Sequence, residues 1–268
     1  MIKNEIKIFL TSVMFYTRIP CPSFIDHSED YLNKATRYFP LIGIIVGTIS
    51  FFIFWLSSLI FNVYISVIFS LGTGILITGA FHEDGLADTF YGFGGGWTKD
   101  KIFEIIKDRR IGTYGIISLI TILLLKMFVL TSLFSQITDI YPAKHELLIF
   151  LIFVTYHSLS RLSAINIVFT SKYSTDDSTS KSKPVAKNNT YVEILISYFW
   201  GLLPLIFLSY FIPQFLFVIL FIGLLSILSS RYFTKHLDGY TGDCLGAVEQ
   251  LSESASLIIF LGILNLLS

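Results

Sequence analysis

The chain has 268 residues, 53% of them hydrophobic and only 14% charged, with a mean hydropathy of +0.71. Soluble domains carry about 25% charged residues, so this composition excludes an ordinary water-exposed domain and points to an integral membrane protein. Its 19 Lys and Arg balance 19 Asp and Glu, which removes any bulk electrostatic case for a nucleic-acid partner.

Residues 1–17 place Lys3, Glu5 and Lys7 ahead of an apolar face. They read as an amphipathic helix lying at the membrane surface. Arg18-Ile-Pro-Cys-Pro follows, with no small-residue cleavage site, so a cleavable signal is not expected. A spanning helix needs about 20 apolar residues. Seven runs come near that length: about 39–60, 63–81, 115–135, 147–169, 191–212, 214–230 and 253–267. Asn62 and its neighbours make a tight hairpin of the first two. Pro213 separates the fifth from the sixth, and Pro204 should kink the fifth. The last run is short and is expected to tilt or to extend back to about Ala247. Cys21 and Cys244 are isolated and read as ordinary thiols. The predicted fold is all-α and polytopic: one transmembrane domain over 1–268, with about seven spans and the surface helix.

Charge tests that count. Seven spans put loops 82–114, 170–190 and 231–252 on the same side as the N-terminus. Of the 19 Lys and Arg, all but Lys126, Lys144 and Arg161 then fall on that side. The positive-inside rule makes it cytoplasmic. The expected location is therefore the cytoplasmic (inner) membrane, with the N-terminus and the polar loops inside. The 170–190 loop reads as a solvated linker.

The polar residues concentrate in 79–96, where His82, Glu83, Asp84 and Asp88 precede glycines from Gly92 to Gly96. Carboxylates at a membrane edge usually mark function. On a helix, Asp84 and Asp88 stand one turn apart on one face. Oxygen donors at that spacing suit Mg²⁺, which keeps waters and takes other ligands from substrate phosphates. Glu83, Asp84, Asp88 and Asp243 form the candidate metal set. A solvated helix end is the plainer alternative. It is weakened because the acids follow a span, nearer its unfavourable C-terminal end. His82 is a candidate base or an interfacial polar group. Gly94 and Gly95 could bring backbone amides against a phosphate, or simply join two helices. Lys107, Asp108 and Arg110 precede Ile111-Gly-Thr-Tyr-Gly; they suit substrate phosphate contact or a positive-inside flank. Arg161 lies some eight residues inside the fourth span, roughly 12 Å deep. A guanidinium there needs a partner, expected in the acidic site or on a substrate phosphate. Tyr240 and Asp243 sit in Asp238-Gly-Tyr-Thr-Gly-Asp-Cys-Leu-Gly-Ala, which is also an ordinary turn composition. Tyr240 is assigned to substrate and Asp243 to the cation.

Five motifs carry a resemblance. They are Phe15-Tyr-Thr-Arg-Ile-Pro, Tyr38-Phe-Pro-Leu-Ile-Gly, His82-Glu-Asp-Gly-Leu-Ala-Asp-Thr, Lys107-Asp-Arg-Arg-Ile-Gly-Thr-Tyr-Gly and Gly239-Tyr-Thr-Gly-Asp-Cys-Leu-Gly-Ala. Any one is weak; five in order, from residue 15 to about 250, are specific. The chain resembles the adenosylcobinamide-GDP ribazoletransferase family, also called cobalamin 5′-phosphate synthase. The resemblance implies a Mg²⁺-dependent membrane transferase in cobalamin biosynthesis. It would join adenosylcobinamide-GDP to α-ribazole, or its 5′-phosphate, and release GMP. Asp84 and Asp88 match the family motif and are expected to serve catalysis; His82, as a candidate base, and Arg161, as a buried guanidinium, join them on the reading of the residues alone. Two positions depart from the pattern: Tyr91 stands where a second Asp is expected, and Cys244 where Thr is expected. A homo-oligomer is left open.

Two other classes compete. Glu83-Asp-Gly-Leu-Ala-Asp partly echoes the CDP-alcohol phosphotransferase core, but Asp88 stands where their arginine would be. A transporter would spread polar residues through several spans near the midplane, whereas here they crowd on one face, apart from Arg161 and Lys126.

Overall fold

The computed structural model describes residues 2–23, 25, 28–108, 110, 112–174 and 190–267. Most of the 170–190 segment, and Arg109 in the fourth motif, therefore lie outside the described residues. Among the described residues the chain is helical, without strands: α1 Ile2–Tyr16, α2 Glu29–Ala35, a 3₁₀ turn Thr36–Tyr38, α3 Phe39–Ser58, α4 Val63–Thr78, α5 Phe81–Gly95, α6 Lys99–Ile106, α7 Thr113–Ile140, α8 His145–Thr170, α9 Tyr191–Phe211, α10 Val218–Leu237 and α11 Gly242–Leu267. Six segments are long and apolar enough to cross a membrane, and a seventh is obtained by counting the bent pair α4–α5 as one. The protein is a polytopic all-α membrane protein.

α8 is the central post. About 94% of its apolar window is buried, against 22–44% for the other five long segments, whose remaining faces present Leu, Ile and Phe outward. Such faces fit lipid rather than water. Close helix approach in a bilayer relies on small residues. A Cβ on Gly43 would stand 2.3 Å from the His157 carbonyl oxygen, and one on Gly47 2.7 Å from that of Phe153. The second motif thus lets α3 lie directly on the α8 backbone.

The hinge between α4 and α5 decides where the acidic stretch goes. α4 ends at Gly79 (φ 70°), which caps it in the left-handed region, and Ala80 follows at φ 60°. Two successive left-handed residues turn the chain by 87°. α4 and α5 therefore lie nearly at right angles. Arg18 covers the hinge. Its backbone N–H donates to the Ile77 carbonyl at 2.7 Å, and a Cβ on Gly79 would stand 2.3 Å from its Nε. Gly79→Ala is therefore expected to lower the melting temperature, through both strain and clash. An unchanged melt would show that the hinge relaxes freely.

The break corrects one expectation. Glu83 and Asp84 do not trail a span; they occupy the first turn of a new helix, where the dipole favours negative charge. α1 is also more than a surface helix, since Ile8, Thr11, Ser12, Val13 and Tyr16 are buried. Two spans run longer than their hydropathy. α10 continues to Leu237, and α11 begins at Gly242 rather than near 253, so only 238–241 of the expected 231–252 loop is non-helical. Glu249, Gln250 and Glu253 interrupt the apolar run, yet all three are buried. Partners across the bundle make that burial tolerable.

Candidate functional site

α5 and α11 cross in backbone contact. A Cβ on Gly85 would lie 2.8 Å from the Asp243 carbonyl oxygen, and one on Gly246 3.0 Å from that of His82. This glycine pair sets Asp84 and Asp88, one turn apart on α5, beside Asp243 in the first turn of α11. The three carboxylates feel one another. The Asp88 carboxyl is half-buried, with Asp243 and Asp84 as its charged neighbours. Among the described residues, no three His, Cys, Asp or Glu side chains stand close enough to hold a metal as they lie. The donor chemistry nevertheless fits Mg²⁺, which binds through one or two carboxylates and completes its shell with water and phosphate.

Glu83 is separated from its neighbours. Its Oε1 accepts from Gln250 Nε2 at 3.0 Å, so it belongs to a second, interior group. Gln250 Oε1 accepts from Lys126 Nζ at 2.6 Å, and Gln250 Nε2 also donates to Glu249 Oε2 at 2.9 Å. Lys126 pairs with Glu253, whose other oxygen lies 2.6 Å from His157 Nδ1. Arg161 Nη1 lies 2.8 Å from Glu249, 3.6 Å from Glu253 and 2.9 Å from the His157 carbonyl. The partner expected for Arg161 thus comes from α11, not from the 82–88 acids. Polar residues also do not crowd on one face alone, because this network is seated among α5, α7, α8 and α11. A cavity of about 20 Å³ lies among these side chains, room for about one water.

His82 lines this small cavity and also a larger one of about 320 Å³. It is buried, and its Nε2 has no partner. The unpartnered ring nitrogen faces the cavity side of α5, where it could accept a proton from a bound hydroxyl. Tyr240 is buried against the larger cavity and pairs through its backbone with Tyr173.

The remaining residues flank α5. Asp108 and Arg110 form a chelated pair, with Nη2 to Oδ2 at 2.8 Å. Gly112, just beyond, lies so close to Tyr91 that a Cβ would stand 1.9 Å from its ring. Lys107 caps α6 and is exposed. Gly94 and Gly95 are exposed on the last turn of α5, not in a loop. A Cβ on Gly94 would stand 2.7 Å from the Tyr114 ring, so packing already accounts for that glycine.

Sequence reading does not single out Glu249, Gln250, Glu253 or His157. The available signal is Glu249 and Glu253 at i, i+4 ahead of an apolar run, one turn apart like Asp84 and Asp88. Gly85→Val should open the α5–α11 crossing and cost about 1–3 kcal/mol. Turnover should fall more than the melting temperature does, because the crossing sets the carboxylate spacing. Equal loss in both would reduce Gly85 to a packing residue.

Comparison with known proteins gives the family. A family model described as cobalamin-5-phosphate synthase matches residues 8–261. A protein named adenosylcobinamide-GDP ribazoletransferase from Shewanella frigidimarina is 40% identical over 262 residues, 97% of this chain and 96% of that one. Proteins of the same name from Shewanella baltica and Shewanella oneidensis are each 41% identical, covering 98% and 96% of this chain and 97% and 95% of their own. No solved structure gives a significant match. A match over nearly the whole length, at this identity, means that the chain belongs to the cobalamin-5-phosphate synthase family.

Proposed function

We propose that this membrane protein is an adenosylcobinamide-GDP ribazoletransferase. It joins adenosylcobinamide-GDP to α-ribazole, or to its 5′-phosphate, and releases GMP. The observation that supports this most is the carboxylate cluster of Asp84, Asp88 and Asp243. It lies at the α5–α11 crossing, on two of the motifs that carry the family resemblance. The Lys and Arg asymmetry supports a cytoplasmic-membrane location, with the cluster and the N-terminus facing the cytoplasm.

The reaction is read as a direct displacement. A ribose hydroxyl of the acceptor attacks the phosphorus that bears the cobinamide. The P–O–P bond breaks, and its electrons leave on GMP. Mg²⁺ bound by Asp84, Asp88 and Asp243 would neutralise the pyrophosphate and the leaving group. His82, or one of the carboxylates, takes the hydroxyl proton. Arg110 and Lys107 stand on the α6–α7 side as phosphate contacts. Glu83 and Arg161 act at one remove, by fixing α5 against α8 and α11. Cys244 is buried, with its Sγ 3.4 Å from the Thr241 hydroxyl, an arrangement that offers no activated nucleophile.

EDTA should abolish turnover, and Mg²⁺ should restore it. Activity indifferent to chelation would remove the cation from this reading. Trapping a guanylylated or phosphorylated protein would contradict direct displacement.

A further inference from the structure

The larger cavity beside the carboxylate cluster enters the displacement as written only through His82, which lines it. Its walls are Phe15 and Tyr16 of α1, Phe39, Phe81, Tyr173 and Tyr240, with aliphatic residues of α8 and Leu245 of α11 between them. Its floor includes Gly242 and Gly246, which bracket Asp243. Tyr16 and Phe39 stack at 4.2 Å with rings 28° apart, and Tyr173 meets Tyr240 edge to face at 5.4 Å. At about 320 Å³ it is at the small end of pockets that hold small molecules, ~300–1,000 Å³.

We propose that this aromatic chamber takes the fused-ring base of the nucleoside acceptor, with the ribose directed toward Asp84 and Asp243. The proposal rests on the transferase reading above. Three observations choose this occupant. Flat walls of Phe and Tyr suit a flat π-system, as in other base-binding sites. The polar side chains of the lining are Thr36, His82 and the tyrosines, with no carboxylate or amide among them, so the N1–H and amino donors of a guanine edge would meet no carboxylate there. The volume is too small for a corrinoid, yet the floor lies against the cluster where the acceptor hydroxyl must react. Burial keeps the Tyr16 and Tyr240 hydroxyls above their ordinary pKa and therefore neutral, as an uncharged base requires.

Leu245→Trp would fill the chamber, and Ile165→Ala would enlarge it. In detergent, with both substrates varied, Leu245→Trp should raise the KM for α-ribazole about tenfold or more. The KM for adenosylcobinamide-GDP should stay within about twofold. Ile165→Ala should shift preference toward an acceptor whose base carries a third fused ring. Independently of turnover, wild-type protein should quench the fluorescence of α-ribazole, and free 5,6-dimethylbenzimidazole should compete. A rise in the donor KM instead would give the chamber to the donor. If neither KM moves in a Leu245→Trp protein that melts normally, the chamber takes neither substrate. Either result overturns the proposal. Absence of GMP release by wild type would sink the transferase reading instead, and the fluorescence titration would still report on the chamber.

Discussion

Arg161→Met should destabilise the purified protein by about 3–5 kcal/mol. Its guanidinium is 1% exposed, and it holds Glu249 at 2.8 Å while also reaching Glu253. Removing it leaves two buried carboxylates, one turn apart on α11, facing each other with Lys126 as the nearest countercharge. The cost comes from that unpaired charge more than from the lost bond. Arg161→Met combined with Glu249→Leu should therefore recover much of the loss, a coupling that a double-mutant cycle reads directly. Unfolding in detergent provides the measurement. A single variant within 1 kcal/mol of wild type, or strictly additive costs, would show that the network is not a coupled unit. Turnover should fall with stability, because Gln250 ties this network to Glu83 and so to the α5 helix that carries Asp84.

Asp84→Ala and Asp88→Ala should each cut kcat by about a thousandfold, the scale of losing one well-placed electrostatic group. The fold should survive both. Asp84 is exposed and Asp88 half-buried, and each change relieves like-charge repulsion with Asp243. Melting temperatures equal to or above wild type, with activity lost, would separate chemistry from folding. Glu83→Ala should behave oppositely, losing stability with activity, because Glu83 faces the interior. If either aspartate variant keeps near-normal turnover at limiting Mg²⁺, the cation assignment fails.

Much of the fold is legible because lipid-facing helices must be apolar along their whole length. The runs at 115–135 and 147–169 fall within α7 and α8, and the 191–212 run matches α9 to one residue. Hydropathy fails where a polar group is buried among partners. Glu249 and Glu253 resemble loop residues until Arg161, Lys126 and His157 are brought beside them by the fold. The hinge fails for a different reason. Gly79 is a readable helix cap, but Ala80 prefers a right-handed helix, and nothing in its side chain announces the φ of 60° at which its bond to the Ile75 carbonyl holds it. The acidic stretch is half legible. The i, i+4 spacing pairs Asp84 with Asp88, as it should. Grouping Glu83 with them ignores that successive helical residues point about 100° apart. The aromatic chamber has no local signature, since its walls come from α1, α3, α5, α8 and α11 together with the segments around Tyr173 and Tyr240.

The most direct measurement is GMP release by the detergent-solubilised protein given adenosylcobinamide-GDP, α-ribazole and Mg²⁺. Release that requires all three, and that disappears in a normally melting Asp84→Ala protein, is the expected result. No release from a demonstrably folded wild-type protein, or release that Asp84→Ala leaves intact, would contradict the assignment of this reaction to the α5–α11 carboxylate cluster.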